Sequence, residues 1–119
     1  MANPTPDFIW KKGDNSTPLD LTLKDEDGAV DLTGYTLSFV MTARGASTRL
    51  IDSAVTIDAD QVTNKGRVTY LPTDPQADLD VGWYEAEVKG TDGSTNPITW
   101  PTHWEKDKKW YIVRIEETK

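Results

Sequence analysis

The stretch Asp25–Arg44, "DEDGAVDLTGYTLSFVMTAR", joins an acidic connection to an alternating apolar run, and its two halves ask for different structures. In the second half Leu37, Phe39 and Met41 share one face with Ser38 and Thr42 opposite, Val40 being the exception. That period of two is the pattern of a half-buried strand. The first half, Asp25 to Tyr35, packs four carboxylates and two glycines into eleven residues. A helix-loop-helix calcium loop would need a glycine at its sixth place and a bidentate carboxylate at its twelfth. Counting from Asp25, Val30 and Thr36 stand there instead. The spacing leaves a turn, in which Asp25 to Gly28 reverses the preceding strand, Val30 and Leu32 anchor the return, and Gly34 admits a second bend. Asp31 and Thr33 are short polar residues suited to bonding nearby backbone amides there.

Period two recurs on both sides of this stretch. "PLDLTLKD" alternates Leu19, Leu21 and Leu23 with Asp20, Thr22 and Lys24, and "DFIWKK" near the start reads as an edge strand. Further runs are "SAVTID", "GRVTYLP", "GWYEAEVKG", "NPITW" and "KWYIVRIEE", separated by Gly, Asp, Asn and Pro. Asp92-Gly93 is a hairpin signal, because glycine accepts positive φ at little steric cost. Ala43–Leu50, Thr73–Asp80 and "PTHWEKDKK" read as loops, the second long enough for one helical turn before Gly82. Short strands at roughly ten-residue spacing, with no amphipathic helix, predict an all-β fold: an immunoglobulin-like antiparallel β-sandwich of seven to eight strands. A closed barrel is the alternative. Residues 8–116 form the single domain, with 1–7 an N-terminal arm and 117–119 a C-terminal tail.

Composition narrows the function. The 119 residues carry 13 basic and 20 acidic side chains, a formal charge of −7 scattered along the chain, which argues against nucleic acid and against an anionic membrane surface. No apolar run approaches the roughly 20 residues of a bilayer span, and "MANPTPDF" lacks a secretory signal, so membrane insertion and export are not expected. There is no cysteine and one histidine, His103, which leaves no thiolate ligand and makes a zinc site or a nucleophile–imidazole pair improbable. Neither phosphate-cradling glycine spacing occurs. Glu85 and Glu87 share a strand face but read as solvated, and "IDADQ" and "DEDG" are the nearest approach to calcium ligands without a known spacing. No catalytic residue, cofactor or metal site is assigned.

Five tryptophans are the more informative feature, three of them within the eleven residues from Trp100 to Trp110. Large aromatics build either core or contact surface. Trp10, on the expected edge strand, and Trp100, Trp104 and Trp110, near the last hairpin, are the candidate protein contacts.

The segment Lys11–Arg44, "KKGDNSTPLDLTLKDEDGAVDLTGYTLSFVMTAR", resembles the N-terminal domain family of phage baseplate upper proteins, which also occurs in minor tail proteins. The fingerprint is Gly13-Asp14, then Pro18 and a strand, Asp25 with Gly28, and Val30-Asp31-Leu32-Thr33-Gly34 before a strand ending apolar-Met-basic. The second half, "GRVTYLPTDPQADLDVGWYEAEVKGTDGSTNPITWPT", fits the family's rhythm, while "THWEKDKKWYIV" is longer and more charged than expected. The resemblance implies a non-enzymatic immunoglobulin-like module of a tailed-phage virion, at the tail tip or baseplate. It would be made in the host cytoplasm without a signal peptide and would dock onto other virion proteins in symmetry-related copies. Capsid decoration is an alternative position. A carbohydrate-binding module, stacking host-surface glycans on exposed tryptophans, is the alternative from another class.

Overall fold

The computed structural model describes residues 5–101 and 110–117. Among these the chain is all-β apart from one helical turn, α1, at Asp74–Ala77, inside the acidic connection where the sequence allowed one. The larger sheet contains β1 (Phe8–Lys11), β5 (Thr36–Ala43), β6 (Arg49–Ala54), β9 (Gly82–Thr91), β10 (Pro97–Trp100) and β11 (Tyr111–Glu116). Its strand order is β1-β11-β9-β5-β6, with β10 also paired to β9. The smaller sheet has the order β2-β8-β7, from Leu19–Thr22, Arg67–Tyr70 and Thr56–Ile57. A two-residue hairpin, β3 (Lys24–Asp25) with β4 (Gly28–Ala29), fills the acidic connection.

Both sheets end in open edges, so neither is a closed barrel. The expectation of purely antiparallel pairing needs correction. β1 runs parallel to β11, with Trp10 opposite Ile115, and the larger sheet is mixed. Alternation reports which face a side chain takes and is silent about the neighbouring strand. Here the chain leaves β1 through a bend at Gly13, φ 89°, and enters the other sheet, which frees the β1 edge to lie along the last strand.

The two sheets share one core. Leu37, Phe39 and Met41 of β5 point inward as their spacing predicted, and Tyr84, Ala86 and Val88 of β9 with Tyr111, Val113 and Ile115 of β11 complete that face. The smaller sheet supplies Leu19, Val68 and Tyr70, and the rings of Phe39 and Tyr70 stack across the gap with centroids 5.0 Å apart. Val55 marks a break between β6, which pairs with β5, and β7, which pairs with β8, so one run of sequence serves both sheets. The sequence reading placed Arg49 and Leu50 in a loop. They belong to β6, where a register shift between Met41 and Thr42 leaves Leu50 unpaired.

Candidate contact surface

Asp14, Gly28 and the Val30–Gly34 segment lie in locally bonded turns. Asp31 Oδ1 accepts the Thr33 backbone N–H at 3.0 Å and its hydroxyl at 2.7 Å, and the Tyr35 N–H bonds the Leu32 carbonyl at 3.0 Å. Those bonds, the side-chain one foremost, hold the Asp31 carboxyl below its ordinary range. Gly34 turns with φ 83°, and the Leu32 side chain is fully buried. Asp14 makes the same kind of local bond to Ser16 and Thr17, and Gly28, φ 110°, closes the β3–β4 turn.

The corner is tied to a second loop by Gln61, the last residue of the "IDADQ" stretch weighed for calcium. Its buried amide oxygen accepts N–H groups from both Leu32 and Gly66, while its nitrogen donates to the Asp58 carbonyl at 2.8 Å. The carboxylates weighed for calcium are engaged nearby. Asp58 accepts from Asp60 N, Asn64 and Arg67, Asp60 from Val62 and Thr63 N–H, and Asp25 from Asp27 N–H. Among the described residues no group of three or more His, Cys, Asp or Glu is placed to hold a metal ion.

The four candidate tryptophans separate. Trp10 is 4% exposed and Trp100 0%, so both belong to the core and neither offers a surface to a partner. Alternation explains Trp10: on β1 the inward positions are Phe8 and Trp10, while Ile9 and Lys11 face water. Trp100 pairs in register with Val88 on the inward face of β9, donates its indole N–H to the Lys24 carbonyl at 3.0 Å, and lies 6.3 Å from the Tyr35 ring. The tryptophans expected at a contact thus close the core. Trp104 lies outside the described residues, as does His103. Trp110 keeps 39% of its surface exposed, immediately before β11.

Trp110 belongs to the outward face of the larger sheet. There the solvent-facing residues of β9, Trp83, Glu85, Glu87 and Lys89, run beside Ile112, Arg114 and Glu116 of β11 and Ser38, Val40 and Thr42 of β5. Arg114 stacks over the Trp83 ring at 5.2 Å, its cross-strand neighbour. Val40, the exception in its strand's alternation, is buried on this outer face, beneath a groove of about 240 Å³ that Thr42, Arg49, Glu85, Glu87 and Trp110 also line. Glu85 Oε1 accepts the Gly45 N–H at 3.1 Å and so fastens the β5–β6 turn that walls the groove. Ile9 at 54% and Leu50 at 41% exposure add apolar area on the two edge strands. No helix among the described residues is long and apolar enough to cross a membrane. The chain matches no model of a known protein family, and no curated protein matches it.

Proposed function

We propose that this chain is an immunoglobulin-like module of a tailed-phage virion, part of the tail tip or baseplate, that acts by docking onto other virion proteins and catalyses nothing. Two features favour the immunoglobulin-like reading of the two sheets. The order β11-β9-β5-β6 facing β2-β8-β7 would correspond to the strands G, F, C, C′ and B, E, D of such a sandwich, with β1 laid beside the last strand, and α1 would then fall in the connection between E and F. At the start of β9, Tyr84 donates its hydroxyl to the Asp80 carbonyl, the arrangement called a tyrosine corner in that fold.

The observation that carries docking is the outward face of the larger sheet. A strand face in water normally carries small or charged side chains, whereas this one presents Trp110 beside Glu87 and, further along the strands, Ile9 opposite the Arg114 that stacks on Trp83. Copies set by particle symmetry would each contribute a modest contact, and avidity would supply the rest. Mass spectrometry of purified virions tests the proposal: the protein is expected at a stoichiometry matching a tail or, for a decoration protein, a capsid symmetry. Its absence from the particle refutes the virion role.

Carbohydrate binding is the second reading, and the exposure of Trp110 in a groove supports it. Burial of Trp10 and Trp100 narrows it, among the described residues, to Trp110 and to Trp83, over whose ring Arg114 already lies. Quenching or shift of tryptophan fluorescence by host glycans, lost in Trp110→Phe, would support that reading, and an unchanged spectrum would remove it.

A further inference from the structure

We infer that the groove between Glu87 and Trp110 receives an arginine side chain of a partner protein. The inference rests on the docking reading only in taking the partner to be a protein. Its chemistry comes from four observations on the outer sheet face.

Glu87 is half-buried and, among the described residues, makes no hydrogen bond or ion pair, whereas Glu85 two positions earlier is engaged by the Gly45 N–H. A carboxylate partly removed from water without a counter-charge is under-compensated, and a cationic donor is the group that restores the balance. The nearest cation lining the groove, Arg49, is bonded to Asp52 at 2.8 Å and so leaves the Glu87 charge standing.

Trp110, partly exposed in the same groove, offers an aromatic surface next to that carboxylate. A planar guanidinium can lie on a ring while its edge bonds a carboxylate, and a compact ammonium does this less well. The same face already holds such a pair in Arg114 over Trp83, so its strand geometry admits the arrangement. A groove of about 240 Å³ suits a guanidinium with its methylene stem rather than a drug-sized ligand, whose sites run from roughly 300 Å³ upward. A neutral sugar would use the ring and leave the carboxylate charge unmatched.

The test uses the full chain, isotopically labelled, titrated with a Gly-Ser peptide carrying one arginine and with counterparts carrying lysine or citrulline. The readouts are the Trp110 indole N–H, assigned by its loss in Trp110→Phe, and the Gly45 amide. The arginine peptide is expected to shift both, more weakly as salt rises. Citrulline, isosteric and neutral, should bind about 10-fold more weakly, lysine should fall between, and Glu87→Gln should weaken arginine binding about 10-fold. Glu26→Gln, on the β3–β4 turn, should leave it unchanged.

Equal binding of citrulline, an indole unmoved by arginine, or a loss in Glu26→Gln as large as in Glu87→Gln would each overturn the inference. So would a neutral disaccharide that shifts the indole where arginine does not, which would give the groove to glycans. If the protein is absent from virions while the arginine peptide still binds, the virion role falls and the groove stands. If it is present in virions and the titration fails, docking uses another surface.

Discussion

Gln61 reaches from one loop to hold Leu32 in another, its Oε1 accepting the Leu32 backbone N–H at 2.9 Å while the same oxygen takes the Gly66 N–H at 3.0 Å. The side chain is 8% exposed, so these amides have little water to fall back on. Replacing Gln61 by Ala leaves two backbone donors and the Asp58 carbonyl short of a partner. The two buried amides alone imply a loss of about 2–6 kcal/mol, at roughly 1–3 kcal/mol for each buried group left unsatisfied. Urea denaturation should show a lower midpoint at unchanged slope. A midpoint equal to that of the unmodified protein would mean the two loops hold together without this amide.

Gly90 should tolerate no side chain. A Cβ built there would lie 1.9 Å from the Thr36 carbonyl oxygen, on the backbone that pairs with it across β5 and β9. The neighbour is main chain inside a ladder and cannot rotate away, so Gly90→Ala must push two central strands apart. Gly45→Ala is the comparison: φ is 81° but nothing lies within 4 Å, and only the left-handed backbone strain of roughly 1–2 kcal/mol is felt. Thermal melts should therefore rank Gly90→Ala well below Gly45→Ala. The reverse order would contradict the packing of β5 against β9.

Stability should be flat near neutral pH and fall at both extremes. Asp14, Asp31, Asp58, Asp60 and Asp92 all have carboxyls held below the ordinary 3.8, four of them by hydrogen bonds to groups within five residues and Asp58 by the Asp60 N–H together with Arg67 and Asn64. A carboxyl whose folded value is depressed stabilises the fold above its unfolded value, and that stabilisation is lost as the pH falls through the folded value. The acid limb should thus begin near pH 4 and steepen below it. Tyr35 and Tyr84 behave oppositely, since burial, with nearby carboxylates adding to it, raises both phenols above 10.0. The unfolded chain ionises first, so stability should drop as pH climbs past 10. Unfolding midpoints across the range test both limbs, and Tyr35→Phe should flatten the alkaline one.

What could be read in advance follows from the range of the signal. Leu37-Phe39-Met41 and Tyr84-Ala86-Val88 announce their faces through neighbours two residues away, and both sets are inward. The Asp31–Thr33 bond is also local, and the sequence showed it. Gln61, 29 positions from Leu32, gave no sign, because a polar residue in a polar loop looks the same whether it faces water or clamps another loop. Trp10 and Trp100 misled for a related reason. Ring size marks a residue as either core or contact, and only the registers with Ile115 and Val88 assign them to the core. Val40 broke the alternation visibly, and its burial beneath the outer groove is what that break meant.

The tryptophans should separate on substitution by phenylalanine. At Trp100 the change removes the bond from Nε1 to the Lys24 carbonyl and leaves a gap in a fully buried site, a loss of about 2–3 kcal/mol. Trp10 is almost as buried, yet its Nε1 has no hydrogen-bond partner among the described residues. Phenylalanine there deletes volume and an uncompensated polar atom together, and the two effects oppose, leaving a change within about 1 kcal/mol. Trp110→Phe, at a partly exposed position, should shift stability by no more than about 0.5 kcal/mol. Denaturation of the three variants side by side gives the order Trp100, then Trp10, then Trp110. Acrylamide should quench Trp110 and spare the other two, so the quenchable fraction should fall in Trp110→Phe alone of the three. A loss at Trp110 as large as at Trp100 would place that ring in the core and withdraw it from any contact surface.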